Sequence, residues 1–313
     1  MQSIVPVLML WSVLFPARQW VSPTQPLDVT CKSPTAVTLI LSDFTGSTIA
    51  PTGPAELRDG QSVDVKTLYP TLAKAGTYLL FAVPSKPGEM ISPANFIGTP
   101  IVIGVRNDKR LGAPTGAMVT RVQPLQFVEM TTDAGAMTIA LYYDAAPVTV
   151  DNFLKLTDQG FYDGLIFHTI LPGFTIQGGD PKGDGTGGPG YSIDAEFNTR
   201  THEAGVLSMS RMRDPLEDPA TGVGPRQEFA NSAGSQFFIC LDYKHTQQYD
   251  RYYTAFGKAV GAKEAVNQIA AVPLADPKQG RPVKAPVIQK MTVKNVDPEH
   301  NPYKGIVNFG EKR

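Results

Sequence analysis

The chain has 313 residues, and its 28 Lys and Arg nearly balance 29 Asp and Glu, for a formal net charge of -1. So small a net charge gives no electrostatic footprint for nucleic acid or for an anionic membrane surface. With 29 Gly, 27 Pro and only 18% charged residues, the composition disfavours long helices and favours loop-rich β structure over two domains.

Residues Ile4 to Phe15 form an apolar run of signal-peptide length, too short for a comfortable membrane span. No basic residue precedes Arg18, Pro6 interrupts the run, and no small-x-small cleavage site follows. Residues 1–26 are still expected to act as a leader, which implies export to a periplasmic or secreted location. Without a leader the expected location is cytoplasmic. No integral membrane domain is expected.

From Leu27 to Val105 apolar residues alternate: Val37, Leu39 and Leu41; Val63 and Val65; Leu79, Phe81 and Val83; Ile101, Ile103 and Val105. Gly46, Gly53-Pro54, Asp59-Gly60, Gly76 and Pro87-Gly88 punctuate them. Short period-2 strands at such intervals predict a small β-sandwich-like accessory domain over 27–106. It carries no cluster of His, Cys or acids at ligand spacing, and a binding or structural role fits it better than a second chemistry. Polar, turn-rich residues from Asn107 to Ala117 open a linker expected over 107–122.

The second domain is expected over 123–294. Phe127 to Thr132 and Ala136 to Tyr142 read as strands joined at Asp133-Ala134-Gly135. The period then lengthens: Val150, Phe153, Leu154 and Thr157 predict a helix over 145–159, with Pro147 in its first turn and Gly160 at its C-cap. Further strands are expected at 165–170, 174–177, 206–210, 236–241, 254–260 and 287–293. A second helix is expected over 262–271. Many antiparallel strands with two isolated helices suggest a closed barrel with a helix over each end. Residues 295–313 are expected to be a polar, solvated tail.

Familiar site chemistries are poorly represented. Cys31 and Cys240 lie far apart, and Cys240, within FFIC, has the surroundings of a buried core thiol. Gly183-Asp184-Gly185-Thr186-Gly187-Gly188 matches a dinucleotide pattern in form only: it opens no helix after a strand, and Asp180 and Asp184 would repel a phosphate. It is better understood as a tight loop beside a site. His168, His202, His245 and His300 show no metal-ligand spacing, so no metal is expected. No G-x-S-x-G elbow is present, and neither Ser235 nor Cys240 has the context of a nucleophile.

In chain order, PVTVDNFLKL, FHTILPGFTIQGGDP, GDGTGGPGY, GVLSMSR, GSQFFI and YYTAFGK resemble the cyclophilin-type peptidyl-prolyl cis-trans isomerases, over about Leu125 to Val293. The resemblance implies a mainly β protein whose second domain is a closed, eight-stranded antiparallel barrel capped by two helices. It also implies cis/trans exchange at X-Pro bonds of proline-containing polypeptides, without a cofactor. Rotation about an amide meets a barrier of about 18–20 kcal/mol, because resonance stiffens the C–N bond. A catalyst therefore needs an apolar cup for the proline ring, groups that hold one side of the peptide still, and a donor aimed at the pyramidal nitrogen of the twisted state.

The resemblance assigns Phe174 and Phe238 to the proline pocket and Gln177 and Gln236 to the site glutamines. His168 is matched to the histidine preceding the catalytic arginine, and Ser210 and Arg211 to the substrate-backbone segment. Tyr253 is matched to the pocket wall, beside Tyr249. His168, Phe174, Gln177, Gln236, Phe238 and Arg211 are thus expected among the catalytic residues, and Thr169, Thr175, Ser210, Tyr249 and Tyr253 among those touching substrate.

Three positions depart from the pattern. Thr169 replaces the catalytic arginine, Thr175 replaces a bulky apolar residue, and Gln248 stands where many relatives carry an aromatic. Met212 to Ala230 is also longer than relatives need and suits a loop beside the substrate groove. These departures predict a weak isomerase, in which Arg211 or Arg213 could stand in for the missing arginine. The alternatives are a non-catalytic module that binds proline peptides and a purely structural surface protein.

Overall fold

The structure, a computed structural model, describes residues 13–86, 88, 92–106 and 118–305. It divides into two compact units, one of residues 1–125 with 295–313 and the other of residues 126–294. Among the described residues no helix is long and apolar enough to cross a membrane.

The first unit is built from short strands: β1 (Leu14–Pro16), β2 (Trp20–Val21), β3 (Asp28–Cys31), β4 (Val37–Asp43), β5 (Thr48–Ile49), β6 (Glu56–Leu57) and β7 (Ser62–Asp64). A single-turn helix, α1 (Val65–Leu68), precedes β8 (Gly76–Pro84), β9 (Ile97–Arg106) and β10 (Val119–Pro124). One sheet has the order β1-β3-β7; the other runs β2-β10-β9-β8-β4-β5, with β6 also on β4. Both sheets contribute to one hydrophobic core, including Leu14, Val29 and Cys31 from the first and Leu39, Leu41, Leu80 and Ile103 from the second.

Three expectations for this part of the chain change. Strands β1 and β2 fall inside the stretch taken as a leader, where Leu14 pairs with Cys31 and Trp20 with Arg121. The rest of that apolar run lies outside the described residues, as does 107–117 of the linker. The remainder of the linker is largely β10, which pairs with β9 from Val119 to Pro124. In β8 the alternating face of Leu79, Phe81 and Val83 is not the one in the shared core: Leu80 and Ala82 are. Both faces of β8 are buried, so its run YLLFAV carries no usable alternation.

The polar tail is the fourth correction. Val296 N donates to Leu125 O at 2.9 Å, and Val296 and Tyr303 are fully buried. The Tyr303 ring meets Phe44 edge-on at 6.4 Å. Polar composition hid this because two apolar anchors suffice to dock so short a segment.

The second unit begins with β11 (Gln126–Thr132), β12 (Gly135–Leu141) and α2 (Pro147–Asp158). Phe153 of α2 inserts among Tyr162, Phe237 and Phe256, with centroids 5.3, 5.8 and 5.0 Å away. The first turn of α2 has no local side-chain cap. Glu196 supplies one from a distance, accepting from Val148 N at 3.1 Å and Thr149 N at 2.8 Å. Beyond it come β13 (Thr169–Leu171), β14 (Thr175–Gly178), β15 (Val206–Met209), α3 (Gln227–Ala230), β16 (Phe237–Cys240), α4 (Tyr243–Thr246) and β17 (Ala255–Val260). Last are α5 (Lys263–Ala270), β18 (Leu274–Asp276), β19 (Arg281–Pro282) and β20 (Ile288–Asn295). Helix α2 packs on β17, and α5 on β12, β13 and β14.

The eight-stranded sheet has the order β13-β14-β16-β15-β17-β12-β11-β20, with neighbouring strands from β13 through β11 antiparallel. It is curled but not closed, contrary to expectation. Among the described residues its two edges are joined by an isolated bridge between Ile166 and Val287, which flank β13 and β20. Phe167 N reaches Pro286 O at 2.9 Å and Ile288 N reaches Leu165 O at 2.8 Å. Pro286 has no N–H to continue that seam, and β13 starts only at Thr169.

Replacing Tyr303 with Ala is expected to destabilise the first unit by about 3–5 kcal/mol, the usual cost of emptying a buried aromatic site. A denaturant melt of the variant beside the wild type measures this.

Candidate functional site

Strands β13, β14 and β16 lie side by side, and their register aligns the site. Thr169 pairs with Gln177, and Gln177 with Phe238. Gln177 Nε2 donates to Gln236 Oε1 at 2.9 Å and to Ser210 Oγ at 3.1 Å. Ser210 N donates to the Gln236 backbone carbonyl at 2.9 Å. The two glutamines and Ser210 therefore form one polar strip.

The glycine-rich loop anchors that strip. Gln236 Nε2 donates to Gly185 O at 3.1 Å and Gly187 O at 2.8 Å. Below the loop, the buried Asp180 carboxylate accepts from Lys182 N at 2.8 Å and Asp184 N at 3.1 Å, and also from Gly185 N. Burial alone would raise this carboxyl, yet the amides of Lys182, Gly185 and Gly187 hold it below the ordinary carboxylate value. A Cβ on Gly187 would fall 2.0 Å from Asp180 Oδ1, so the loop tolerates no side chain there. The motif that imitates a phosphate cradle thus turns its amides onto a carboxylate of its own chain.

Four rings gather beside the strip. Tyr249 lies 5.2 Å from Phe174, 5.3 Å from Phe238 and 4.5 Å from Tyr253, and Phe238 meets Tyr253 edge-on at 5.7 Å. The turn joining the two tyrosines places Arg251 at φ 67°, a left-handed conformation that few non-glycine residues adopt. Phe238 is almost fully buried and Phe174 half-buried, so the group has one open rim. Thr175 is buried, pairs with Cys240 and presents little to solvent.

Sequence reasoning missed the supports under these rings. His202 is buried, stacked on Phe238 at 6.2 Å and edge-on to Tyr249 at 6.0 Å. Its Nδ1 lies 2.9 Å from Asp250 Oδ1 and its Nε2 lies 3.0 Å from Ser208 Oγ. Nothing in its local sequence, NTRTHEAG, marks a buried histidine.

Arg211, expected among the catalytic residues, is committed elsewhere. Its guanidinium pairs with Glu217 at 2.6 Å, donates to Tyr252 O and Met212 O, and lies 4.2 Å from the Tyr253 ring centroid. With its side chain only 2% exposed, it braces the tyrosine and has no donor for a substrate. Glu217 comes from the long Met212–Ala230 segment, which Asp214 also orders by accepting from Arg226 N, Nε and Nη2. Arg213 is exposed, and its charge acts on Tyr249 and Tyr253.

His168 and Thr169 border a polar cleft of about 230 Å³, whose other lining residues include Gly183, Asp184, Gln279 and Arg281. His168 is only 6% exposed, and neither ring nitrogen has a partner among the described residues. Arg281 belongs to the β18–β19 hairpin, which was not anticipated although Asp276-Pro277 and Gly280 gave a turn signal.

Residues 127–293 match the family model for cyclophilin type peptidyl-prolyl cis-trans isomerases/CLD. Over 129 residues the chain is 42% identical to a Synechococcus elongatus peptidyl-prolyl cis-trans isomerase, covering 41% of this chain and 77% of the relative. Over 134 residues it is 42% identical to Bacillus subtilis peptidyl-prolyl cis-trans isomerase B, covering 42% and 81%. A crystal structure of a Cryptosporidium parvum cyclophilin type isomerase, in the presence of the dipeptide Ala-Pro, aligns at 29% identity with a TM-score of 0.46, covering 54% of this chain and 99% of that one.

Two outcomes follow from this packing. Glu217→Ala strands a buried guanidinium and is expected to cost about 3–5 kcal/mol, read by chemical denaturation. Burial holds the His168 and His202 imidazoles below their ordinary 6.5, even though Asp180 and Asp184 near the first and Asp250 beside the second oppose it. The unfolded chain then binds protons more readily than the folded one. Stability is therefore complete above about pH 6.5 and declines as the pH falls through that value. Melting temperatures between pH 8 and 5 test this, with a flatter slope expected for His202→Asn.

Proposed function

The chain belongs to the cyclophilin type peptidyl-prolyl cis-trans isomerase family and is a peptidyl-prolyl cis-trans isomerase, and we propose that it works below the rate of arginine-bearing relatives, because Thr169 occupies the catalytic arginine's place. The family binds proline-containing peptides, and proline-containing polypeptides are the proposed substrates here. The proline ring enters at the open rim of the Phe174, Phe238, Tyr249 and Tyr253 group. Gln177, Gln236 and Ser210 hold the flanking backbone. Their amide and hydroxyl groups are already fixed to one another and to the glycine loop, so little reorganisation accompanies binding. The bond then twists against a largely stationary frame.

Threonine at 169 carries no guanidinium, and that single observation sets the expected rate. A preorganised transition-state donor typically contributes 10²–10³ in rate. The ten strands and shared core of the first unit support its reading as a sandwich-like accessory module, in line with the period-2 pattern that suggested it.

Thr169→Arg is expected to raise kcat/KM on a proline-containing peptide at least about tenfold, towards the ~10²–10³ contributed by such a donor. A wild type already as fast as its arginine-bearing relatives, with no gain in the variant, would sink the proposal.

A further inference from the structure

If Thr169 cannot donate to the prolyl nitrogen, another group near the Thr169–Gln177–Phe238 row has to account for catalysis above that of the bare pocket. Arg211 is excluded by its burial and its three partners. Arg213 is exposed, is not among the residues lining the cleft beside Thr169, and its charge acts on Tyr249 and Tyr253. Arg281 is placed differently. It lines the cleft that Thr169 and His168 also line, it is exposed, and none of its nitrogens has a protein partner among the described residues.

Its position is fixed by the backbone. Ile170 N donates to Gly280 O at 2.7 Å, which docks the hairpin on the free edge of β13. Gly280 lies at φ +68°, and a Cβ there would come within 2.6 Å of Ile170 O. So close an approach suits only glycine, and the next residue is Arg281. Arg281 therefore leaves the backbone beside the β13 edge, in the cleft that Thr169 lines at the end of the Thr169–Gln177–Phe238 row. A long side chain at 169 would fill that lane, whereas threonine leaves it open.

The rest of the cleft does not neutralise the guanidinium. Asp184 accepts from Thr186 N at 2.8 Å and Thr186 Oγ1 at 2.7 Å, and it forms no ion pair with Arg281. His168 also lines this cleft, with both ring nitrogens buried and without a hydrogen-bond partner among the described residues, so it too leaves the guanidinium without an acceptor there.

We propose that Arg281 replaces the missing arginine, reaching from the hairpin across Thr169 to donate to the prolyl nitrogen of the twisted peptide. This rests on the isomerase reading above. It deepens that reading by assigning the remaining activity to a guanidinium held at the sheet edge, whose longer and less fixed reach makes it a weaker donor than one rooted at 169.

The test compares wild type, Arg281→Ala, Arg281→Gln, Arg213→Ala, Thr169→Arg and Thr169→Arg/Arg281→Ala, all as the full chain, on one proline-containing tetrapeptide. Arg281→Ala and Arg281→Gln are expected to lower kcat about tenfold or more, with KM and melting temperature little changed. Thr169→Arg is expected to restore the Arg281→Ala background to wild-type rate or above, and Arg213→Ala to stay within about threefold of wild type. Arg281 variants that keep wild-type kcat, or a loss that follows Arg213 instead, would overturn the assignment and leave the isomerase reading standing. A chain inactive in every form, Thr169→Arg included, would overturn both.

Discussion

The site depends on a carboxylate that is almost wholly buried beneath it. Asp180 gathers the amides of its own glycine loop, and the loop offers two carbonyls to Gln236. Gln236 in turn fixes Gln177, and Gln177 fixes Ser210. Each link satisfies a polar group that would otherwise be costly to bury. The outcome is a peptide-facing strip whose geometry is set before anything binds. Glycine is required at 187 because a carboxylate oxygen occupies the space where a Cβ would stand.

The apolar half of the site is built in the same way, with the working surface supported from behind. His202, tied to Asp250 and Ser208, backs Phe238 and Tyr249, and the Arg211–Glu217 pair backs Tyr253. Buried charge and a buried imidazole are weak sources of net stability. Here they act by limiting the rotamers open to the rings. The long Met212–Ala230 segment, which sequence suggested only as a loop beside the groove, is the source of the carboxylate that neutralises Arg211.

Local sequence signals carried the two main helices and most strands of the second unit, because each rests on short-range periodicity, while the glutamines and rings were named through the family resemblance. What they could not carry was pairing across long separations. Thr169 and Arg281 are more than a hundred residues apart, and only the fold brings them to one cleft. The same holds for Glu196 capping α2 and for His202 meeting Asp250. Barrel closure was over-read because the strand pattern does not reveal that Pro286 falls where a donor is needed. The run YLLFAV misled for the opposite reason: a strand buried on both faces has no polar side from which to tell its orientation.

The burial of Tyr303 also bears on how the polypeptide is made. The first unit takes its opening 125 residues from one end of the chain and its closing segment from the other, with the whole isomerase domain threaded between them. On a ribosome working at roughly 5–20 residues per second, the early segment waits on the order of 10–30 seconds before Tyr303 is added. That interval is the time in which the middle domain, continuous in sequence, is itself made. The last strand of the isomerase domain, β20, ends at Asn295, so the middle domain and the segment that completes the first unit, Asn301-Pro302-Tyr303, become available almost together.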